Sequence, residues 1–345
     1  MPKKMNKSKF IPIVLTAATI MFFAFSFIRG RSIVQKSEKE INPNLQLVES
    51  EAKKYVLKEI DSKTGLIRWD LTAKEGNTEN NLQATIINDI KARVYKGKEI
   101  VFELTAPHAK ANSLTKDISL FGDVTTKDKK GDFLLKSKEI SLGMGTSIEA
   151  HKGFDLELKN NGTVKGERVL VNDDQSKIIV TKLAEAVFKD IKFSGENVYI
   201  ERNMSGEIAS AIIENGGEIT LKNNDTLTAG KIKWDNSGSV EAVSNVIYNS
   251  GDKIFKAGYL TISPDKKVFA KNGVSITHAE TQCYGDSLSF ENNSFVIITG
   301  TPRAVQGDKT ILADRIIYDV NLKKVQAVGN VRTVTNVKTA TNQKV

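Results

Sequence analysis

Covalent bracing is excluded from the outset: Cys283 is the only cysteine among 345 residues, so no internal disulfide can form, and no cysteine follows the N-terminal apolar run to accept a lipid. Nor can it complete a zinc set with His108, His151 and His278, which lie far apart in sequence. It reads as a small, half-buried residue. There is no Gly-x-Ser-x-Gly elbow, and Gly143-x-Gly145 lacks both a third glycine and a Rossmann-like surround, so it reads as a turn. Asp and Glu are scattered along strand exteriors rather than paired. These absences argue against an enzyme and against a cofactor. Prolines number only six, and no long helical pattern follows residue 55.

The formal charge of +9 suggests nucleic acid until it is apportioned. Lys3, Lys4, Lys7, Lys9, Arg29 and Arg31 flank one apolar run, and residues 1–31 hold no acid; removing those six charges from +9 leaves +3 for the rest, an ordinary surface balance. The nucleic-acid reading loses its support.

Residues 10–28, FIPIVLTAATIMFFAFSFI, carry no charge. At about 1.5 Å per residue such a run just spans about 30 Å of hydrocarbon. Pro12 falls in the first turn, where its missing N–H costs little. Four preceding lysines place the N-terminus in the cytoplasm and everything after Arg31 outside. The competing reading is a signal peptide cleaved near Ala24-Phe25-Ser26. The length of the run and the arginines that follow it favour an anchor, and either reading exports the remainder. Residues 32–54 are polar; Leu45, Val48, Ala52 and Tyr55 have helical spacing, but a tether is the simpler reading.

After the tether, short alternating stretches are punctuated by Asn, Asp and Gly. Ile67, Trp69, Leu71 and Ala73 alternate with Arg68, Asp70, Thr72 and Lys74, the period of a strand with one buried face. With Tyr55–Ile60 and the Asp61-Ser62-Lys63-Thr64-Gly65 loop, they form a hairpin. The C-terminal half repeats in register. Ala229, Ala257, Gly285 and Ala313 stand 28 residues apart, each followed five residues later by a large side chain: Trp234, Ile262, Phe290, Tyr318. A turn cluster follows, then apolar positions at Val240, Val268, Val296 and Val325, at Ala242, Ala270, Ile298 and Ala327, and a last position at Val246, Val274, Pro302 and Val331. Looser copies place Ala73, Ala106, Ser137, Gly166 and Gly195 on the small position. Each unit is about two strands and a turn, which cannot bury an apolar face alone, so stacked units must bury it together. The small residue predicts close approach of a facing sheet, and the large one fills the layer between sheets.

The segment YVLKEIDSKTGLIRWDLTA at 55–73 resembles the opening of LptC-type lipopolysaccharide export proteins, in its strand, its Asp-x-x-x-Gly turn and its Trp69-Asp70-Leu71-x-Ala73. The segments TLTAGKIKWDNSGSVEAVSNV at 226–246 and ILADRIIYDVNLKKVQAVGNV at 311–331 resemble the OstA/LptA-like repeat. With the anchor, the resemblance covers residues 8–335. It implies an all-β fold, an elongated antiparallel β-jellyroll after one transmembrane helix. Lipopolysaccharide acyl chains would lie between two sheets, an inner-membrane ABC transporter would supply the lipid, and an LptA-type or outer-membrane OstA-like partner would join by edge-strand addition. The implied place is the inner membrane, with the bulk of the chain periplasmic. The chain exceeds a single jellyroll, giving residues 1–9 cytoplasmic, 10–28 anchor, 29–54 linker, 55–200 a first unit, 201–335 a second OstA-like unit and 336–345 a frayed tail.

A groove for acyl chains needs inward apolar residues and no charge. The candidates are Trp69, Leu71, Phe102, Leu104, Phe121, Phe154 and Leu156, of which Phe102 and Leu104 alternate with Glu103, and Phe154 and Leu156 with Asp155. The same side chains fit ordinary sandwich core. The competing function is an anchored structural or adhesive β-solenoid that uses its repeats as a spacer.

Overall fold

A computed structural model describes residues 51–78, 84–112, 117–142, 147–291 and 294–335. The apolar run at 10–28, with its anchor or signal-peptide reading, and the tail at 336–345 lie outside the described residues. Among the described residues no helix is long and apolar enough to cross a membrane.

These residues are all β. The first eleven strands are β1 (Glu51–Ile60), β2 (Ile67–Thr78), β3 (Ala84–Lys96), β4 (Glu99–Asn112), β5 (Ile118–Lys127), β6 (Phe133–Leu142), β7 (Ile148–Leu158), β8 (Gly162–Val171), β9 (Lys177–Phe188), β10 (Ile191–Arg202) and β11 (Ile208–Thr220). There follow β12 (Thr226–Ala229), β13 (Lys231–Asp235), β14 (Val240–Ser250), β15 (Lys253–Ile262), β16 (Val268–His278), β17 (Thr281–Glu291), β18 (Phe295–Thr299), β19 (Arg303–Gln306), β20 (Lys309–Leu312), β21 (Arg315–Asp319), β22 (Lys324–Val328) and β23 (Arg332–Thr335). Strand β1 begins four residues inside the expected linker.

From β1 to β11, each strand pairs antiparallel with the next. Later on, β12 with β13, β18 with β19, β20 with β21 and β22 with β23 each act as one strand broken at its middle: β11 pairs both β12 and β13, and β17 pairs both β18 and β19. The connectivity is therefore a meander with short turns. Pairing continues across residues 200 and 201, since β10 pairs β11 from Lys192↔Thr220 to Arg202↔Ile208.

The break is the organising feature. On alternate strands the register shifts where the backbone takes positive φ, at Gly122-Asp123, Lys152-Gly153, Asn215-Gly216, Ser244-Asn245 and Asn272-Gly273, and again at Gly300-Thr301 and Gly329-Asn330 between half-strands. On the strands between, the small residues predicted from the repeat stand opposite these bulges: Ala257 faces Val246, and Gly285 faces Val274. Bulges bend and twist a strand, and in register they fold the sheet along a crease. The inward face changes parity there: Phe133, Leu135 and Ser137 are buried on one side of the crease of β6, Ile140 and Leu142 on the other.

The two halves face each other. Trp234, at the far end of β13, packs on Phe188 and Phe193 from the opposite ends of β9 and β10, with ring centroids 6.5 and 5.4 Å away. Phe255 and Phe290 meet in the same way at 5.6 Å. One apolar core runs from Trp69 to Val320. The expected pair of opposed sheets is thus present as two halves of one folded sheet.

Candidate functional site

The interior between the two half-sheets is apolar along its length. Of the seven groove candidates, Trp69, Leu71, Phe102, Leu104, Phe154 and Leu156 are buried there, none more than 5 % exposed, with Phe102 against Phe133 at 5.4 Å. Phe121 differs. Its neighbours Ile118, Leu120, Val124 and Thr126 take the inward positions, while Phe121 is half-buried on the other face, its ring 5.6 Å from that of His108. Ile118, Leu120, Val124 and Thr126 are all even-numbered, so Phe121, next to inward Leu120, has the outward parity, and the candidate chosen by size alone fell on the wrong face. Within the interior, Trp69 Nε1, Thr126 Oγ1 and Trp234 Nε1 are buried without a hydrogen-bond partner.

Charge collects at the rims, where the strand ends of the two halves approach. Lys96 Nζ, at the end of β3, lies 3.8 and 3.7 Å from Asp173 and Asp174 in the turn after β8. Asn161, after β7, donates through Nδ2 to Gly206 O (3.3 Å) and accepts from Ile208 N (3.4 Å). Lys189 Nζ donates to Asn236 Oδ1 (2.5 Å), and Gln306 Nε2 to Lys323 O (3.5 Å). The most buried clasp is Asp252–His278–Tyr318: Nε2 of His278 lies 2.8 Å from Asp252 Oδ2 and Nδ1 2.7 Å from the Tyr318 hydroxyl. A carboxylate only accepts, so Nε2 donates to Asp252, and Nδ1 shares the second bond with the Tyr318 hydroxyl. Lys253 and then His278 hold Asp252 down at about 2. Arg202 ends β10 on an inward position, donating to Gly206 O and Gln175 Oε1, both at 2.9 Å; burial lowers its pKa against the pull of Asp128 and Asp132.

The motif residues of the opening hairpin have structural duties. Asp61 accepts from the backbone N–H of Lys63 (2.9 Å) and Thr64 (2.8 Å) and pairs with Arg68; Thr64, Arg68 and Lys63 hold it at about 2. Asp70 binds Arg93 through two bonds, Nε at 2.9 Å and Nη2 at 2.7 Å, and the Tyr95 hydroxyl at 2.8 Å, so the Trp69-Asp70-Leu71 run alternates core, clamp and core.

Among the described residues both ends of the sheet are open: β1 pairs only with β2, β22 only with β21 and β23 only with β20. In the inner copies Val240, Ala242 and Val246 are buried; their counterparts Val325 and Ala327 are half-buried, and Val331 is 52 % exposed, because among the described residues no further strand covers them. Val328 and Val334 are exposed beside them.

A folded sheet with apolar ends describes many β proteins, and the sequence of the first strands narrows the choice. Residues 12–148 match the family model for "Lipopolysaccharide-assembly, LptC-related". This stretch of the chain is similar to the LptC-related family. The match takes in most of the apolar run at 10–28 as well as the hairpin and strands through the start of β7. Among solved structures, the chain is similar to LptH, the LptA-homologous periplasmic component of the lipopolysaccharide transport device of Pseudomonas aeruginosa. That likeness has 16 % identity over 34 % of this chain and 98 % of LptH, with a TM-score of 0.32, too low to carry an argument. No curated protein sequence matches the chain. Among the described residues no group of His, Cys, Asp and Glu could hold a metal.

Proposed function

We propose that this chain is a periplasmic component of lipopolysaccharide transport, held to the inner membrane by residues 10–28. It takes the lipid from an ABC transporter between its half-sheets and passes it toward the outer membrane. The observation that carries this is an uncharged interior running the length of the sheet between rims that hold the charge, in a chain whose first strands are similar to the LptC-related family. Each methylene removed from water gains about 0.8 kcal/mol, so acyl tails favour such an interior while sugars stay outside. Three buried donors without partners, Trp69, Thr126 and Trp234, suit ester and amide carbonyls near the head of such tails, because an unpaired buried donor costs about 1–3 kcal/mol. The end strands β1 and β22–β23 would dock an LptA-type or OstA-like partner by strand addition. Residues 55–200 and 201–335 would then be successive stations of one conduit.

A specific observation favours the spacer reading: the interior side chains already pack against one another, with Leu71 and Phe102 fully buried. The transport reading therefore requires the half-sheets to part. The rim clasps are few and weak, about 0.5–1.5 kcal/mol per neutral hydrogen bond and about 0–1 kcal/mol per exposed ion pair. A photo-crosslinking residue in place of Phe102 or Phe154 tests it: lipopolysaccharide attached to the chain supports transport, and no attachment at any interior position in a functional variant leaves the spacer.

A further inference from the structure

The clasps do not close the rim everywhere. Between Lys189–Asn236 on one side and Asp252–His278–Tyr318 on the other, a cavity of about 350 Å³ opens between the turns after β11 and β14 and those after β13 and β15. Its throat is apolar, formed by Ile191, Leu221, Tyr248, Ile262, Val268 and Phe290. It continues inward along stacked rings, Tyr248 on Phe255 and Phe255 on Phe290, each 5.6 Å apart. The volume falls within the ~300–1,000 Å³ of small-molecule sites.

The lip is basic: Lys222, Lys253 and Lys266 line it. Lys222 pairs with Asp190 at 3.2 Å, an exposed pair that a phosphate can displace at little cost, and the half-buried Lys253 pairs with the exposed Asp252 at 3.1 Å. The one buried carboxylate at the lip, Asp225, is already committed, accepting from the Tyr248 hydroxyl and from Asn223 Nδ2, both at 2.6 Å. The wider rim cavity of about 1020 Å³ beside Arg202 offers a contrast. Its lining is mixed, Glu99, Asp128, Asp132, Asp174 and Glu207 standing among Lys129, Lys130, Lys159 and Arg202, so it lacks the uniformly basic lip of the window.

We propose that this window is a side port through which an acyl tail of a phosphate-bearing lipid enters or leaves the interior, its anionic head resting on Lys222, Lys253 and Lys266. The proposal rests on the transport reading and adds a place to it. A lipid with tails inside and head outside cannot slide past a closed clasp, whereas the window lets one exchange with none broken.

The test uses the full chain with a photo-crosslinking residue at Phe154, remote in sequence from the window, and the pair Asn223→Cys/Ser263→Cys across it, clipped with a bis-maleimide. Cys283 is buried with its thiol pushed up to about 12, and stays unmodified. Detergent-dispersed lipopolysaccharide is the probe, with a mono-maleimide control and excess inorganic phosphate as competitor. Clipping is expected to lower labelling about tenfold or more, a loss of about 1.4 kcal/mol or more in apparent binding. Dephosphorylated lipid should label about tenfold less than the phosphorylated form, and Lys222→Gln/Lys253→Gln/Lys266→Gln should erase that preference. Equal labelling of clipped and unclipped chains overturns the port and leaves transport standing; a preference unchanged in the triple variant overturns the lysine seat. No labelling of the unclipped chain removes the transport reading and the port with it.

Discussion

At the crease, side chains are chosen in pairs. Gly230 stands against Ser244, Gly258 against Asn272, Asp286 against Gly300 and Asp314 against Gly329, so that one member of each pair is always glycine. A Cβ on Gly258 would lie 2.9 Å from Asn272 Cβ and 3.0 Å from its carbonyl oxygen. Gly258→Ala should therefore cost about 1–3 kcal/mol, as overpacking does. Adding Asn272→Gly, at a position with φ 68°, should return part of that loss by recreating the arrangement at Asp286 and Gly300; a double-mutant cycle in urea measures the coupling. Asp61 makes a second prediction at this scale. Its carboxyl sits at about 2 in the fold against an ordinary 3.8, so the stability it contributes is complete above about pH 3.8 and is lost as pH falls through about 2. Acid unfolding of the wild type and of Asp61→Asn should converge toward pH 2 and diverge above pH 4.

For single elements, the contrast lies between strands inside the meander and strands at its ends. Phe102 is fully buried on β4 and meets Phe133 on β6, so Phe102→Ala should lose about 3–5 kcal/mol, read as a shift in the urea midpoint at unchanged slope. Val328, Val331 and Val334 are exposed at the other extreme; replacing all three by Lys should move stability by only about 0.5 kcal/mol per site. Edge lysines oppose strand addition, so the same variant should lose end-to-end crosslinking to an LptA-type partner if β22 and β23 dock it.

Over the whole molecule, local pairing and a shared core make stability nearly additive along the meander. Removing residues 309–345 takes away β20 to β23 and moves the exposed face back to β18 and β19. Circular dichroism should show the remaining strands intact, with the urea slope reduced in proportion to the surface removed. Loss of all β signal would mean that the C-terminal copies nucleate the rest.

Much of this was legible in the residues. Alternation gave the strands, the Asp61–Gly65 loop the first hairpin, and the 28-residue spacing from Ala229 to Ala313 the column of small residues that became the crease. These signals are local, because a pleated strand shows its period of two and a tight turn its glycine within a few residues. Phe121 marks where that reading failed: its size suggested the interior, but it stands next to inward Leu120 and so on the other face of β5. The reach of His278 to Tyr318 and the window left between clasps belong to tertiary structure alone. They depend on how far the folded halves are offset along the crease, which brings together residues tens of positions apart, and no periodicity in the chain encodes that offset.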